Sequence, residues 1–208
     1  MLLDVDESQL VLVDYQTRLM PALFDSASAL ANAVRLARLA ALFQVPTVLL
    51  EQSPDRLGPT AEPLHEAVQA LSAARLLQSL QKTHFNGVEE GLAELLRPPV
   101  KAASGNARSL PKHLQKPAQP QSTRPAIVLA GCEAHICLLQ TALALLEDEF
   151  EVWVVTDACS SRTERNRDAA FDRLAGAGAE LLTTEMVAFE WLRHAGHPSF
   201  RAVQALIK

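Results

Sequence analysis

Six short apolar runs, each followed by a segment of helical periodicity, constrain this chain more than any other feature. The runs are "QLVLVDYQ", "VPTVLLEQ", "RLLQSLQK", "PAIVLAG", "FEVWVVTDA" and "AELLTT". The first is continuously apolar from Leu10 to Val13, which suits a strand buried on both faces. The third is the weakest, with more polar residues than apolar ones. Between and after them lie helical patterns such as "ASALANAVRLARLAALFQ", "GVEEGLAELLR" and "TERNRDAAFDRLAGAG". Ser161 and Glu164 have the S-x-x-E spacing of a capping box before the last of these. The alternation predicts a three-layer, doubly wound α/β fold: a mostly parallel six-stranded sheet of order 3-2-1-4-5-6 with helices on both faces.

In such sheets ligands bind beyond the carboxyl ends of the strands. The residues there are Asp14 after the first strand, Glu51 and Gln52 after the second, Lys82 after the third, the Gly131 turn after the fourth and Asp157 after the fifth. One segment breaks the rhythm. Residues 100–124 carry five Lys or Arg, three prolines and no acid. The 208 residues read as one domain, 1–208, with this basic, proline-containing insertion at about 100–124 serving as a lid, a subunit-contact arm or a solvated mobile segment.

Several classes of function are excluded at this stage. A net charge of -5 gives no nucleic-acid footprint over the whole chain. No uninterrupted apolar run reaches the ~18 residues of a membrane span, and the acidic start "MLLDVDESQL" is unlike a secretory signal. Three cysteines, an odd number, argue for thiols in a reducing compartment, so a cytoplasmic location is expected. The first strand-to-helix turn, "DYQTRLMPAL", has no glycine for a dinucleotide pyrophosphate, and no phosphate-binding P-loop occurs. Cys132 and Cys137 are five residues apart, wrong for a C-x-x-C redox or zinc site.

Cys137 invites a different reading. In the first turn of a helix that starts near Ala134, unpaired N–H groups and the positive end of the macrodipole would stabilise a thiolate. The plainer alternative is a buried cysteine in an apolar helix. Asp14 and Lys82 converge on the same sheet edge if the first strand is central. Asp14 follows four apolar residues, so desolvation would raise its pKa and suit it to take a thiol proton. Taken singly, Asp14 also reads as a strand-end cap and Lys82 as a solvated amine.

The D-x-Q of "LVLVDYQ", the lysine of "QKTHF", and "AGCEAHICLLQTAL" together resemble the isochorismatase-like cysteine hydrolase family. The last stretch has the family's glycine, five residues, cysteine, and a threonine four further on. Its continuation and the later "VVTDACSSR" look most like the isochorismatase domain-containing branch, relatives of the nicotinamidases. The resemblance implies a catalytic triad of Asp14 as base and acid, Lys82 as electrostatic partner and Cys137 as nucleophile. It further implies a cis peptide between Cys132 and Glu133 and an oxyanion hole from the backbone N–H groups of Glu133 and Cys137. Gln16 matches the family's site-facing glutamine. His135 and Phe85 are candidate substrate contacts, with Tyr15 and His84 as further walls.

The implied activity is cleavage of a C–N, amide-type bond of a small molecule through a cysteine thioester, without a cofactor. Nicotinamidases carry a metal-binding D-x-H after the second strand, where this chain reads "EQSPDR"; no metal site is therefore expected, and nicotinamide is disfavoured as substrate. Vinyl ether hydrolysis is disfavoured because it needs no cysteine. The expected partners are a small-molecule substrate and copies of the same chain in a dimer or tetramer, with no nucleic acid and no membrane. The alternative from another class is a catalytically silent member acting as a binding or interaction module.

Overall fold

The computed structural model describes residues 1–97 and 124–208. Six parallel strands form one sheet in the order β3-β2-β1-β4-β5-β6. They are β1 Ser8–Val13, β2 Thr47–Gln52, β3 Leu77–Lys82, β4 Ala126–Gly131, β5 Glu151–Val155 and β6 Glu180–Leu182. Every residue of β1 and β4 is buried, as expected of central strands covered on both faces. Each leucine of β1 contributes ~1.5 to 3 kcal/mol by leaving water, so a shift of register would be expensive.

Helices α1 Ser26–Phe43, α2 Pro54–Leu57, α3 Glu62–Ala73, α4 Leu92–Leu96, α5 Leu139–Glu147, α6 Glu164–Gly176, α7 Thr184–Leu192 and α8 Phe200–Ile207 cover the sheet. Helix α1 packs with α3, α7 and α8, and α5 packs with α6. The helical pattern expected over "GVEEGLAELLR" divides at Gly91, whose φ of +96° separates a 3-10 turn, Val88–Glu90, from α4.

Two local expectations are corrected. Thr163, not Ser161, caps α6: its backbone is extended and its hydroxyl accepts the Asn166 N–H at 3.2 Å. The hydroxyl of Ser161 faces the His135 ring instead, at 3.0 Å. Cys137 does not begin a regular α-helix either, because Ala134–Leu138 form a π turn in which the Leu138 N–H reaches back to the Glu133 carbonyl. The basic insertion lies outside the described residues except for Arg124, whose guanidinium donates to the carbonyls of Val5 and Ser8, each at 2.9 Å.

Candidate active site

At the carboxyl end of β1 the chain turns sharply. Asp14 has φ +58°, a left-handed conformation that aspartate tolerates better than most residues. Its N–H bonds the Leu50 carbonyl on β2 and its own carbonyl accepts the Gln16 N–H. This leaves the carboxylate wholly buried. One oxygen, Oδ2, accepts from Lys82 Nζ at 2.7 Å. The other, Oδ1, has no hydrogen-bond partner among the described residues.

Lys82 is the last residue of β3 and the only one in that edge strand that is fully buried. Register pairs it with Gln52, the last residue of β2. Lys82 Nζ donates to Gln52 Oε1 at 2.7 Å as well as to Asp14. A buried ion pair is stabilising only when its remaining donors and acceptors are met, and Gln52 supplies the second acceptor.

Cys137 reaches the same place from β4. Gly131 ends that strand so close to β1 that a Cβ added to it would lie 2.5 Å from both the Val13 carbonyl oxygen and Val13 Cβ. Only glycine fits, and the Cys132 N–H then bonds the Val13 carbonyl at 2.9 Å. The Cys132–Glu133 peptide is cis. In the π turn that follows, Cys137 Sγ lies 3.9 Å from Gln52 Oε1, so one carboxamide oxygen touches both the ammonium and the thiol.

Burial pushes the Cys137 thiol up to about 12; the Asp14 charge adds to this and Lys82 offsets part of it. The expectation of a thiolate stabilised by the first turn of a helix is thereby corrected. A thiol shifted in this direction needs a base. Desolvation raises Asp14 above its ordinary value, offset by the Lys82 charge and hydrogen bond, which brings the carboxylate closer to the basicity that proton transfer requires.

The other candidates are placed unequally. The Glu133 N–H has no acceptor among the described residues, while the Glu133 carboxylate is held by the Arg162 N–H at 3.0 Å and guanidinium at 3.1 Å. His135 is engaged by Ser161 and Asn166 on the α6 side. Gln16 is fully buried with every polar atom committed: Oε1 accepts the Gln52 N–H, and Nε2 donates to the carbonyls of Gln52 and Gly58. It braces the end of β2. Tyr15 is a core residue whose hydroxyl donates to the Ala158 carbonyl.

Phe85 is exposed, in the loop after β3. His84 beside it meets Glu90, which accepts from the backbone and side chains of Thr83 and His84 and is lowered to about 2 by those bonds. Thr141, four residues after the cysteine, accepts the Gly87 N–H at 3.0 Å and ties this loop to α5. A cleft of about 400 Å³ opens beside Lys82, with Ser53, Asp55, Arg56, Thr83 and Glu90 along it.

At the positions where a metal-binding D-x-H would stand, Glu51 instead accepts from the Thr60 N–H and hydroxyl. No cluster of three or more metal-ligating side chains occurs among the described residues. In the sequence Gln52 is marked only as a strand-end residue; its signal is that placement, on the strand between the acid's and the lysine's. No helix among the described residues is long and apolar enough to cross a membrane.

A family model described as the isochorismatase domain matches residues 109–186. Isochorismatase domain-containing protein 2A of Mus musculus is 32% identical over 203 residues, covering 98% of this chain and 84% of its own length. A structure titled as the MAR1 ribonuclease of Caenorhabditis elegans superposes with a TM-score of 0.82 at 28% identity, covering all of this chain and 92% of that one. The YcaC gene product of Escherichia coli, described as an octameric hydrolase of unknown specificity, shares the fold with a TM-score of 0.73 at 24% identity over 98% of this chain and 95% of its own.

Proposed function

Because this chain belongs to the isochorismatase domain-containing family, we propose that it is a hydrolase that cleaves the C–N bond of a small amide through a thioester on Cys137. The observation that carries this reading is the buried trio: an Asp14–Lys82 pair at 2.7 Å with the thiol one shared acceptor away. Asp14 takes the Sγ proton, the sulfur attacks the carbonyl carbon, and the N–H groups of Glu133 and Cys137 hold the oxyanion. Collapse of this intermediate breaks the C–N bond, and the proton on Asp14 leaves with the amine. Asp14 then deprotonates water, which cleaves the thioester, releases the acid and restores the thiol. Lys82 offsets negative charge throughout.

A small-molecule substrate suits the site better than a polyanion. The cleft beside Lys82 carries Asp55 and Glu90 as well as Arg56, and a chain of net charge -5 gains little from phosphate contacts. Self-association is part of the proposal, supported by Leu2, Met186 and Phe189, which expose 60%, 45% and 43% of their surface around one shallow cleft. A reducing, cytoplasmic setting is also part of it and rests on three unpaired thiols.

The test is a panel of small amides and esters offered to the wild type, Cys137→Ala and Asp14→Asn. Turnover by the wild type is expected, with Cys137→Ala at background and Asp14→Asn lower by about 10²- to 10⁴-fold. A substrate turned over equally well by Cys137→Ala would rule out the thioester route.

A further inference from the structure

Gln52 touches two members of the proposed triad at once, and every polar atom it has is accounted for. Its backbone is fixed by Gln16, which accepts the Gln52 N–H at 2.9 Å and donates to its carbonyl at 3.0 Å. Its Nε2 donates to the Thr83 carbonyl at 2.7 Å and contacts Ser53 Oγ at 3.4 Å. Those bonds set which way the carboxamide faces. With the amide reversed, its NH₂ would meet the Lys82 ammonium, donor against donor, and its oxygen would meet the Thr83 carbonyl, acceptor against acceptor. The oxygen therefore faces Lys82 Nζ at 2.7 Å and Cys137 Sγ at 3.9 Å.

We propose that Gln52 is the positioning residue of this site: its carboxamide oxygen anchors the Lys82 ammonium between Asp14 and Cys137 while adding no charge of its own. The inference rests on the hydrolase reading above and deepens it. An ammonium has three donors. Two are directed to Asp14 Oδ2 and Gln52 Oε1, which leaves the third for the sulfur once its proton has gone. Neutrality matters as much as geometry. A carboxylate at this position would pair with Lys82 as strongly as Asp14 does, and the single ammonium would then face two negative charges before the thiolate could form. The charged groups acting on the sulfur are Asp14 and Lys82; Glu133, in the cysteine's own turn, is paired with Arg162, and His135 is engaged by Ser161 and Asn166.

The experiment follows iodoacetamide alkylation of Cys137 in the whole chain against pH, by mass mapping, in the wild type, Gln52→Glu, Gln52→Met and Asp14→Asn, with Cys137→Ala as the blank. All three thiols are buried, and mass mapping reads Cys137 apart from Cys132 and Cys159. Gln52→Glu is expected to raise the alkylation midpoint by about one pH unit or more, a tenfold slower reaction at a fixed pH below it. Gln52→Met keeps the length and loses the acceptor; Lys82 then closes on Asp14 alone, and the midpoint rises by a smaller amount. Melting curves of each variant separate this from loss of fold, since a merely structural glutamine would lower stability without moving the midpoint. If Asp14→Asn moves the midpoint and neither Gln52 variant does, the positioning role is wrong and the hydrolase reading stands. If no variant moves it, both fail.

Discussion

Lys82 sits where an edge strand of mixed polarity ends in a wholly buried ammonium, and its worth depends on the carboxylate 2.7 Å away. Burial already holds Asp14 above its ordinary value of 3.8, so the native state binds this proton more tightly than the unfolded chain does. That contribution to stability is fully present below the unfolded value and is lost as pH rises through the native one. Lys82→Met removes the charge that opposes the shift and drives the native value higher still. The variant should therefore lose stability more steeply than the wild type as pH rises above the unfolded value of Asp14, read by urea denaturation across a pH series. A difference that stays constant over that series would show that Lys82 does not hold the Asp14 charge. Gln16 teaches another lesson at this scale. The family pattern aims it at the site, but its amide behaves as an extra strand residue that extends β2 pairing beyond Asp14.

At the scale of elements, the site is an assembly of ends. The turn after β1, the last residues of β2 and β3, and the turn after β4 all meet at one rim. The helix beginning at Glu164 shows how sequence spacing misleads here. S-x-x-E occurs at Ser161 and Glu164, but residues 160–162 are drawn onto the β4 turn by Ser160 N–H to the Gly131 carbonyl, Ala134 N–H to the Ser160 carbonyl and the Glu133–Arg162 pair. The helix cannot begin until Thr163. Thr163→Ala is expected to lower stability by about 1 kcal/mol without changing alkylation of Cys137. Ser161→Ala should leave the helix cap intact and release His135. Circular dichroism melts check the first, and the histidine ring resonances the second. A larger loss of stability from Ser161→Ala than from Thr163→Ala would return the cap to Ser161.

Over the whole molecule, the described chain buries its apolar strands beneath two sets of helices, yet leaves Leu2, Met186 and Phe189 open to solvent at one place. Large apolar side chains exposed around one cleft favour association, so the wild type is expected to sediment as an oligomer. Phe189→Glu, which puts a charge into that contact, should shift it toward the monomer in analytical ultracentrifugation. A wild type that is monomeric at micromolar concentration would remove the self-association proposal and leave the chemistry untouched.

Much of the fold was legible beforehand because its signals are local. An apolar run such as Leu10–Val13 is buried whatever its neighbours are, and a regular strand–helix alternation admits few sheet orders. Asp14 and Lys82 are recognisable as strand ends, and Cys137 by the resemblance of "AGCEAHIC" to the family's motif. Gln52 was not singled out as a site residue, since a glutamine after a strand carries no chemical signal of its own.

The sequence by itself determined the alternation of strands and helices and the identities of the residues at the sheet's carboxyl edge, because apolar periodicity and turn placement are properties of contiguous residues. Only the tertiary structure decided that Gln52 bridges lysine to thiol, that Gln16 is a brace and that Thr163 is the cap. Each depends on register between segments 30 or more residues apart, or on where a neighbouring turn pulls the backbone, and that information is absent until the chain has packed.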